Sequence, residues 1–361
     1  MKFTVNQVEF NSAIHRVAPS AAAKTTMPIL SNVLIEAGAG GLTLTASDLT
    51  ARAVATVGAE VSEPGAITVS AKGLLNRVGN LDGTVCATTV KNKLLLKSGA
   101  RKYSLEVLPA EDYPVKAGQG SDQVAVELPA GALFDLIGKT LYAACADSDR
   151  PILYCINVAS HERGIRAFGI DGHRIAVAYA PDKTPAFNVT IPQIRARELG
   201  KLLYGVAGDI KLHISQQSLS VDFPWGEFST ALQNVQPAPI DQVMLKATPE
   251  AVARLPRDAT LKSLKALMCA LDDSSSVGIE LSNGTMVLRA TSGDDEVPVE
   301  YSGEPQSAMV NINYIAQALS AVDDEEVKLS LAESFGMACD MIVLRPAVGD
   351  SWFAGVMPIR K

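Results

Sequence analysis

Two periodicities of apolar residues alternate along this chain. Stretches with apolar residues three and four apart predict helices at NQVEFNSAIHRV (6–17), SAKGLLNRVGNL (70–81), PAGALFDLIGKTLYAA (129–144), PQIRARELGKLLYGV (192–206) and NINYIAQALSAV (311–322). TPEAVARL and LKSLKALMCAL, within 248–271, predict one more helix, broken or kinked at Pro256. Elsewhere apolar and polar residues alternate one for one, as in ATTVKNKLLLKSGARKYSLEVL, IKLHISQQSLSVDF and VKLSLAESFGMACDMIVLRP, which predicts strands. Asn283-Gly284 is a hairpin signal. Ser70, Pro192 and Asn311 stand where a cap or first-turn residue belongs.

The pattern repeats. MPILSNVLIEAG (27–38) matches RPILYCINVAS (150–160), and LTLTASDLTARAVA (42–55) matches IRAFGIDGHRIAVA (165–178). Pro28 and Pro151 are 123 positions apart, and so are Asp48 and Asp171. MVLRATSGDDEVPV (286–299) follows the same alternation as a third copy. One offset across two separate blocks marks a duplication. The chain therefore reads as three units of α+β class with much antiparallel sheet, at 1–121, 122–245 and 246–361.

Hydrophobic residues make up 47% of the 361 and charged residues 20%, an ordinary globular composition. The net charge of −7 gives no nucleic-acid signal as a total, but its distribution does. Counted with their flanks, over 6–24, 70–82, 129–150, 192–207, 248–271 and 311–322, the helical stretches together carry +5, which leaves −12 for the rest. Basic helices on an acidic body fit one positive surface that faces a phosphate backbone, or else simply solvated helix faces. The first unit closes on Lys91, Lys93, Lys97, Arg101 and Lys102, and the third carries Asp294, Asp295, Glu296 and Glu300. These are complementary if two chains meet there, or are edges guarded by charge.

Five cysteines without a CxxC fit buried thiols in a reducing compartment, hence the cytoplasm. The N-terminus lacks the apolar core of a signal peptide, and no apolar run reaches the ~20 residues of a membrane span. Four histidines without HxH or HExxH spacing argue against a metal, and no cofactor fingerprint is present. Asp171-Gly172-His173-Arg174 is the one stretch with catalytic-looking chemistry. Its Asp-Gly pair also suits a plain turn, and its repeat partner Asp48 lacks the His and Arg, so a hydrolase reading has little behind it.

LPAEDYP (108–114), DGHRIAV (171–177) and VMPIR (356–360), with MKFTV at the start and Met-Pro-Ile-Leu at 27–30, resemble the bacterial sliding clamps, the beta subunits of DNA polymerase III, over the whole chain. The resemblance implies three clamp domains with helices inside and sheets outside, two chains closing head to tail around double-stranded DNA, and no catalysis. It implies that Leu153, Ile170, Gly172, His173, Arg174, Ile175 and Val243, with Val356, Met357, Pro358, Ile359 and Arg360, form a socket. That socket would take peptide motifs of the polymerase, the clamp loader and repair proteins, with His173 and Arg174 as donors at its rim. DNA would face Lys24, Lys72, Arg77, Lys139, Arg150, Arg195, Arg197 and Lys201, and Tyr103, Leu105 and Leu271 would supply the apolar part of the homodimer contact. The sequence departs from the family at Ile170, where a Thr is usual, at Pro237-Ala238-Pro239, where an aromatic-Pro-Asp-aromatic run is usual, and at Asp147, where a neutral residue is usual. These departures keep a second reading open, a diverged clamp paralogue with altered partners.

Overall fold

Three of the helices begin at a side-chain cap, at Asn6, Ser70 and Asn311. In the computed structural model, which describes residues 1–114, 124–146, 149–240, 252–269, 275–333 and 341–359, Asn6 caps α1 (Gln7–Val17) by accepting from the Val8 and Glu9 amides. Phe10, Ala13, Ile14 and Val17 then form one buried stripe. Ser70 caps α2 (Ala71–Val78) through the Gly73 amide, and Ala71, Leu74 and Val78 are its buried face. These helices belong to the first stretch, with β1 (Lys2–Asn6), β2 (Asn32–Gly38), β3 (Gly41–Ser47), β4 (Ala51–Val57), β5 (Ala59–Glu63), β6 (Gly65–Ser70), β7 (Thr84–Val90), β8 (Lys93–Ser98) and β9 (Arg101–Pro109). In β8, Leu94 and Leu96 point inward and Lys93, Leu95 and Lys97 outward, the two-residue period of a half-buried strand.

The second stretch repeats this order with β10 (Val124–Pro129), α3 (Ala130–Thr140), β11 (Cys155–His161), β12 (Gly164–Ile170), β13 (Arg174–Ala180), β14 (Asn188–Pro192), α4 (Gln193–Leu203), β15 (Asp209–Ile214), β16 (Ser218–Phe223) and β17 (Gly226–Ala231). The third has β18 (Ala253–Pro256), α5 (Arg257–Met268), β19 (Ser276–Ser282), β20 (Thr285–Ala290), β21 (Gly293–Pro298), β22 (Gln306–Asn311), α6 (Ile312–Ser320), β23 (Glu326–Glu333), β24 (Met341–Pro346) and β25 (Trp352–Val356). One expectation is corrected here. The Ala253-Arg254-Leu255 end of TPEAVARL, with the Pro256 that follows it, is strand β18, not helix. It pairs with β23, and Pro256 becomes the N-cap of α5 instead of a kink within it. Pairing with a neighbouring strand outweighs a weak local helix propensity.

By density of contacts the chain forms two compact units, residues 1–130 with 205–232 and residues 131–204 with 233–361. The first holds a 13-stranded sheet in the order β10-β15-β16-β17-β4-β3-β2-β6-β9-β8-β7-β1-β5. Within it β9 changes partners, pairing with β8 from Arg101 to Glu106 and with β6 from Val107 to Pro109. The second unit holds an eight-stranded sheet, β14-β11-β12-β13-β25-β24-β23-β18, and a four-stranded one, β21-β20-β19-β22.

Two strand pairings recur in matching register, one in each unit. β17 lies antiparallel to β4, with Gly226 opposite Ala55, and the Thr56 amide donates to the Trp225 carbonyl at 2.9 Å. β25 lies antiparallel to β13, with Trp352 opposite Ala178, and the Tyr179 amide donates to the Ser351 carbonyl at 2.8 Å. Ala55 and Ala178 hold the same place in their repeats. In both joints the final strand of one repeat closes onto the fourth-position strand of another.

Candidate functional site

The second joint positions the residues singled out in the sequence. At its end β13 emerges from a turn built by Asp171. The Asp171 Oδ1 accepts from the amides of His173 (2.9 Å) and Arg174 (3.0 Å), and the Asp171 amide donates to the Arg174 carbonyl at 3.2 Å. Gly172 sits in the left-handed region at φ 92°, where an L side chain is strained. A Cβ there would lie 3.9 Å from the Leu153 Cδ1, so the bare glycine backbone and the half-buried Leu153 abut.

Arg174 is turned inward, unlike the rim donor expected. Its Nε donates to the Asp171 Oδ2 at 2.9 Å, with both side chains only 11% exposed. Another guanidinium nitrogen donates to Gln317 Oε1 on α6, and the plane stacks over Tyr314 at 4.3 Å and Tyr142 at 5.5 Å. Burial pushes the Tyr142 phenol well up, and Arg174 pulls it back only in part. Tyr142 is therefore a neutral ring at ordinary pH. Breaking such a pair from one side strands a desolvated carboxylate, a cost of several kcal/mol at full burial. Asp171 is thus a turn-maker and ion-pair partner, with both oxygens engaged. Among the described residues no group of three His, Cys, Asp or Glu is placed to hold a metal ion.

The chain after β25 runs beside this turn. Val356, buried, pairs with Arg174, and the next amide, that of Met357, donates to the His173 carbonyl at 2.8 Å. Met357 and Pro358 are half-buried, and Ile359 is exposed, its amide donating to the Met309 carbonyl at 2.7 Å. Below lies a core of Phe168, Ile175, Val177, Ile240, Met341, Val343 and Phe353, against which Ile170 and Ala238 pack. Ile175 is core, whereas Leu153, Gly172, His173 and Met357–Ile359 are accessible. Val243 and Arg360 lie outside the described residues. Among the described residues the arrangement is a largely apolar surface beside the Asp171 turn, suited to holding a short apolar peptide.

The basic residues divide. Lys24, Lys72, Arg77, Arg150, Arg197 and Lys201 are exposed and Lys139 is half-buried. Arg195 is buried and paired to Glu198 at 2.9 Å, which neutralises it. Asp147 and Leu271 lie outside the described residues. Tyr103 and Leu105 are half-buried on β9, where Arg77 stacks over Tyr103 at 5.1 Å. Sequence reasoning missed Tyr142, Tyr314 and Gln317 around Arg174. The spacing of Tyr314 and Gln317, three apart on one helix, was the available signal. It also omitted exposed Lys262 and Lys265 on α5, again three apart.

Three repeats of one α+β unit, joined by a repeated strand pairing, define a clamp-type architecture. Residues 1–117 match the family of the DNA polymerase III beta subunit, N-terminal domain, and residues 127–236 match the family of its central domain. The chain belongs to the DNA polymerase III beta subunit family, the bacterial beta sliding clamps. It is 26% identical to the beta sliding clamp of Pseudomonas aeruginosa and 27% identical to that of Escherichia coli K12, over 100% of each chain. A solved Pseudomonas aeruginosa sliding clamp, bound to griselimycin, superposes with a TM-score of 0.87 at 25% identity over 100% of both chains. The Thermotoga maritima beta subunit shares the fold at a TM-score of 0.89 and 23% identity, covering 100% of this chain and 99% of that one.

Proposed function

We propose that this chain is a DNA sliding clamp, a non-catalytic processivity factor of the cytoplasm that encircles duplex DNA and tethers the replicative polymerase. The observation that carries this reading is the match in fold and sequence to bacterial sliding clamps over the full chain. The domains are 1–121, 122–245 and 246–361, and two chains close head to tail. Tethering acts through effective concentration, since a polymerase held on a ring rebinds the primer end instead of diffusing away. Exposed Lys24, Lys72, Arg77, Arg150, Arg197 and Lys201, with half-buried Lys139, provide loose phosphate contacts that permit sliding. Arg195, already paired, is left out of that set.

The socket for the polymerase, the clamp loader and other motif-bearing proteins is the surface at Leu153, Ile170, Gly172, His173 and Met357–Ile359. The continuation of β25 beside the Asp171 turn supports it. Arg174 acts there as the residue that fixes the turn. Retention on circular DNA after loading, with release once the circle is cut, tests the ring. Equal loss from circular and linear DNA counts against it. A fluorescent peptide of the polymerase's clamp-binding type should bind wild-type protein and not a variant lacking Met357–Lys361. Equal binding by both removes the socket.

A further inference from the structure

The joint between β17 and β4 carries the same parts as the socket beside β13. The 123-residue offset between the first two repeats sets Leu30 on Leu153, Ser47 on Ile170, Asp48 on Asp171 and Thr50 on His173. Beyond the last pair of β17 with β4, the Ala231 amide donates to the Thr50 carbonyl at 2.8 Å, as the Met357 amide does to the His173 carbonyl. Ala231 therefore stands beside the Asp48 turn where Met357 stands beside the Asp171 turn. All of these parts around Asp48 lie in one compact unit.

What differs is access. In the second repeat Ile152 is 45% exposed and Leu153 half-buried. Their counterparts Ile29 and Leu30 are only 9% and 4% exposed. The cover is Tyr113. β9 pairs with β6 as far as Pro109, and Ala110–Asp112 then form a 3₁₀ turn. The Tyr113 amide donates to the Ala110 carbonyl at 3.0 Å, and its ring packs on Ile29, Leu30 and Leu34. Burial pushes the Tyr113 phenol up, while the Ser47 backbone and Arg52 pull it partly back and Asp48 adds to the rise, so the far end of the ring stands at the Asp48 turn. The Ser47 backbone approaches without closing a hydrogen bond, and the buried hydroxyl has no partner among the described residues. That unpaired hydroxyl weakens the hold of the ring.

We propose that Ala110–Pro114 is a built-in occupant of a second peptide socket, anchored by Tyr113, and that this leaves one open socket on a chain with the parts for two. The inference rests on the socket reading above and adds a site of the same ligand class, a short peptide with an apolar anchor. The occupant is tied in place by the pairing of β9 with β6, so its effective concentration is on the order of millimolar or above. A free peptide of micromolar affinity does not displace it. Removing the ring leaves a cavity walled by Ile29, Leu30 and Leu34, and an apolar cavity of that kind takes an apolar guest in preference to water.

The test is the stoichiometry of binding, by calorimetric titration of the full chain with a peptide of the polymerase's clamp-binding type. Wild type should take one peptide per chain and Tyr113→Ala two, the second within about tenfold of the affinity of the first. Tyr113→Phe keeps the ring and should stay at one. A chain lacking Met357–Lys361 should bind none, and the same chain with Tyr113→Ala should regain one. A folded Tyr113→Ala protein that still takes one peptide, with no binding regained in the shortened chain, overturns the second socket and leaves the open one standing. Two peptides on Tyr113→Phe show that the ring is not the cover and overturn it as well. Wild type that binds none overturns the open socket and this inference with it. Circular dichroism shows whether Tyr113→Ala folds, and Tyr113→Val, which keeps an apolar side chain over Leu30, carries the same count of sites if it does not.

Discussion

Asp48 and Asp171 make the same turn at the same point of two repeats, and only the second lies in the candidate site. The Asp48 Oδ1 accepts from the Thr50 and Ala51 amides at 2.9 Å, and its own amide donates to the Ala51 carbonyl at 3.2 Å. Asp171 does the same with His173 and Arg174. The left-handed residue between is Leu49 at φ 75° in one copy and Gly172 at φ 92° in the other. The carboxylate that looks catalytic in Asp-Gly-His-Arg is thus part of the repeat's backbone. What differs is its surroundings: Ala51 stands where Arg174 stands, and Met357 continues beside the second turn. The candidate site is thus built around a structural device that both repeats share.

The largest test of that contrast removes Arg174. Arg174→Ala should cost about 2–4 kcal/mol, read as a lowered calorimetric melting midpoint, because it strands Asp171 and empties the stack on Tyr314. Arg174→Lys should recover little, since the fork and the plane are both lost. A midpoint unmoved by either change would mean that the buried pair does not hold the turn.

Next come the two carboxylates. Asp171→Asn keeps an oxygen for the turn but loses the charge facing Arg174, so it should cost about 1–2 kcal/mol. Asp48→Asn keeps the turn and should cost under about 0.5 kcal/mol. Equal losses in urea titrations of the two variants would erase the distinction.

The positive-φ residues should respond in opposite directions. Gly172→Ala imposes strain of about 1 kcal/mol. Leu49→Gly relieves similar strain at a residue 46% exposed, and should leave the melting point level or higher. A drop with Leu49→Gly matching that of Gly172→Ala would show that side-chain contacts, not backbone strain, govern this position.

The smallest contrast is chemical. Cys155 stands where the first repeat has Asn32, and burial pushes its thiol up to about 11. At pH 8 it should resist iodoacetamide while exposed Cys86 and Cys269 react, as peptide mass mapping would report. Because the folded value is raised, the stability it contributes is present below the ordinary thiol range and is lost as pH climbs through about 11. Labelling of native Cys155 as fast as Cys86 would contradict its burial.

The sequence alone determined the repeated order of helices and strands, the caps at Ser70 and Asn311, and the family, because period, capping chemistry and motif spacing are local properties. It also supplied every member of the Asp171 turn, which lie within four residues of each other. Only the tertiary structure decided that Arg174 turns inward, since Tyr142, Tyr314 and Gln317 arrive from distant stretches and their stacking on a guanidinium leaves no trace in local pattern. Pairing with β23 made Ala253–Pro256 a strand, and a carboxylate three residues away buried Arg195. Register belongs to the same class. Each strand's alternation sets which face is apolar, but which residue stands opposite which is settled by the hairpins and joints that close the sheets.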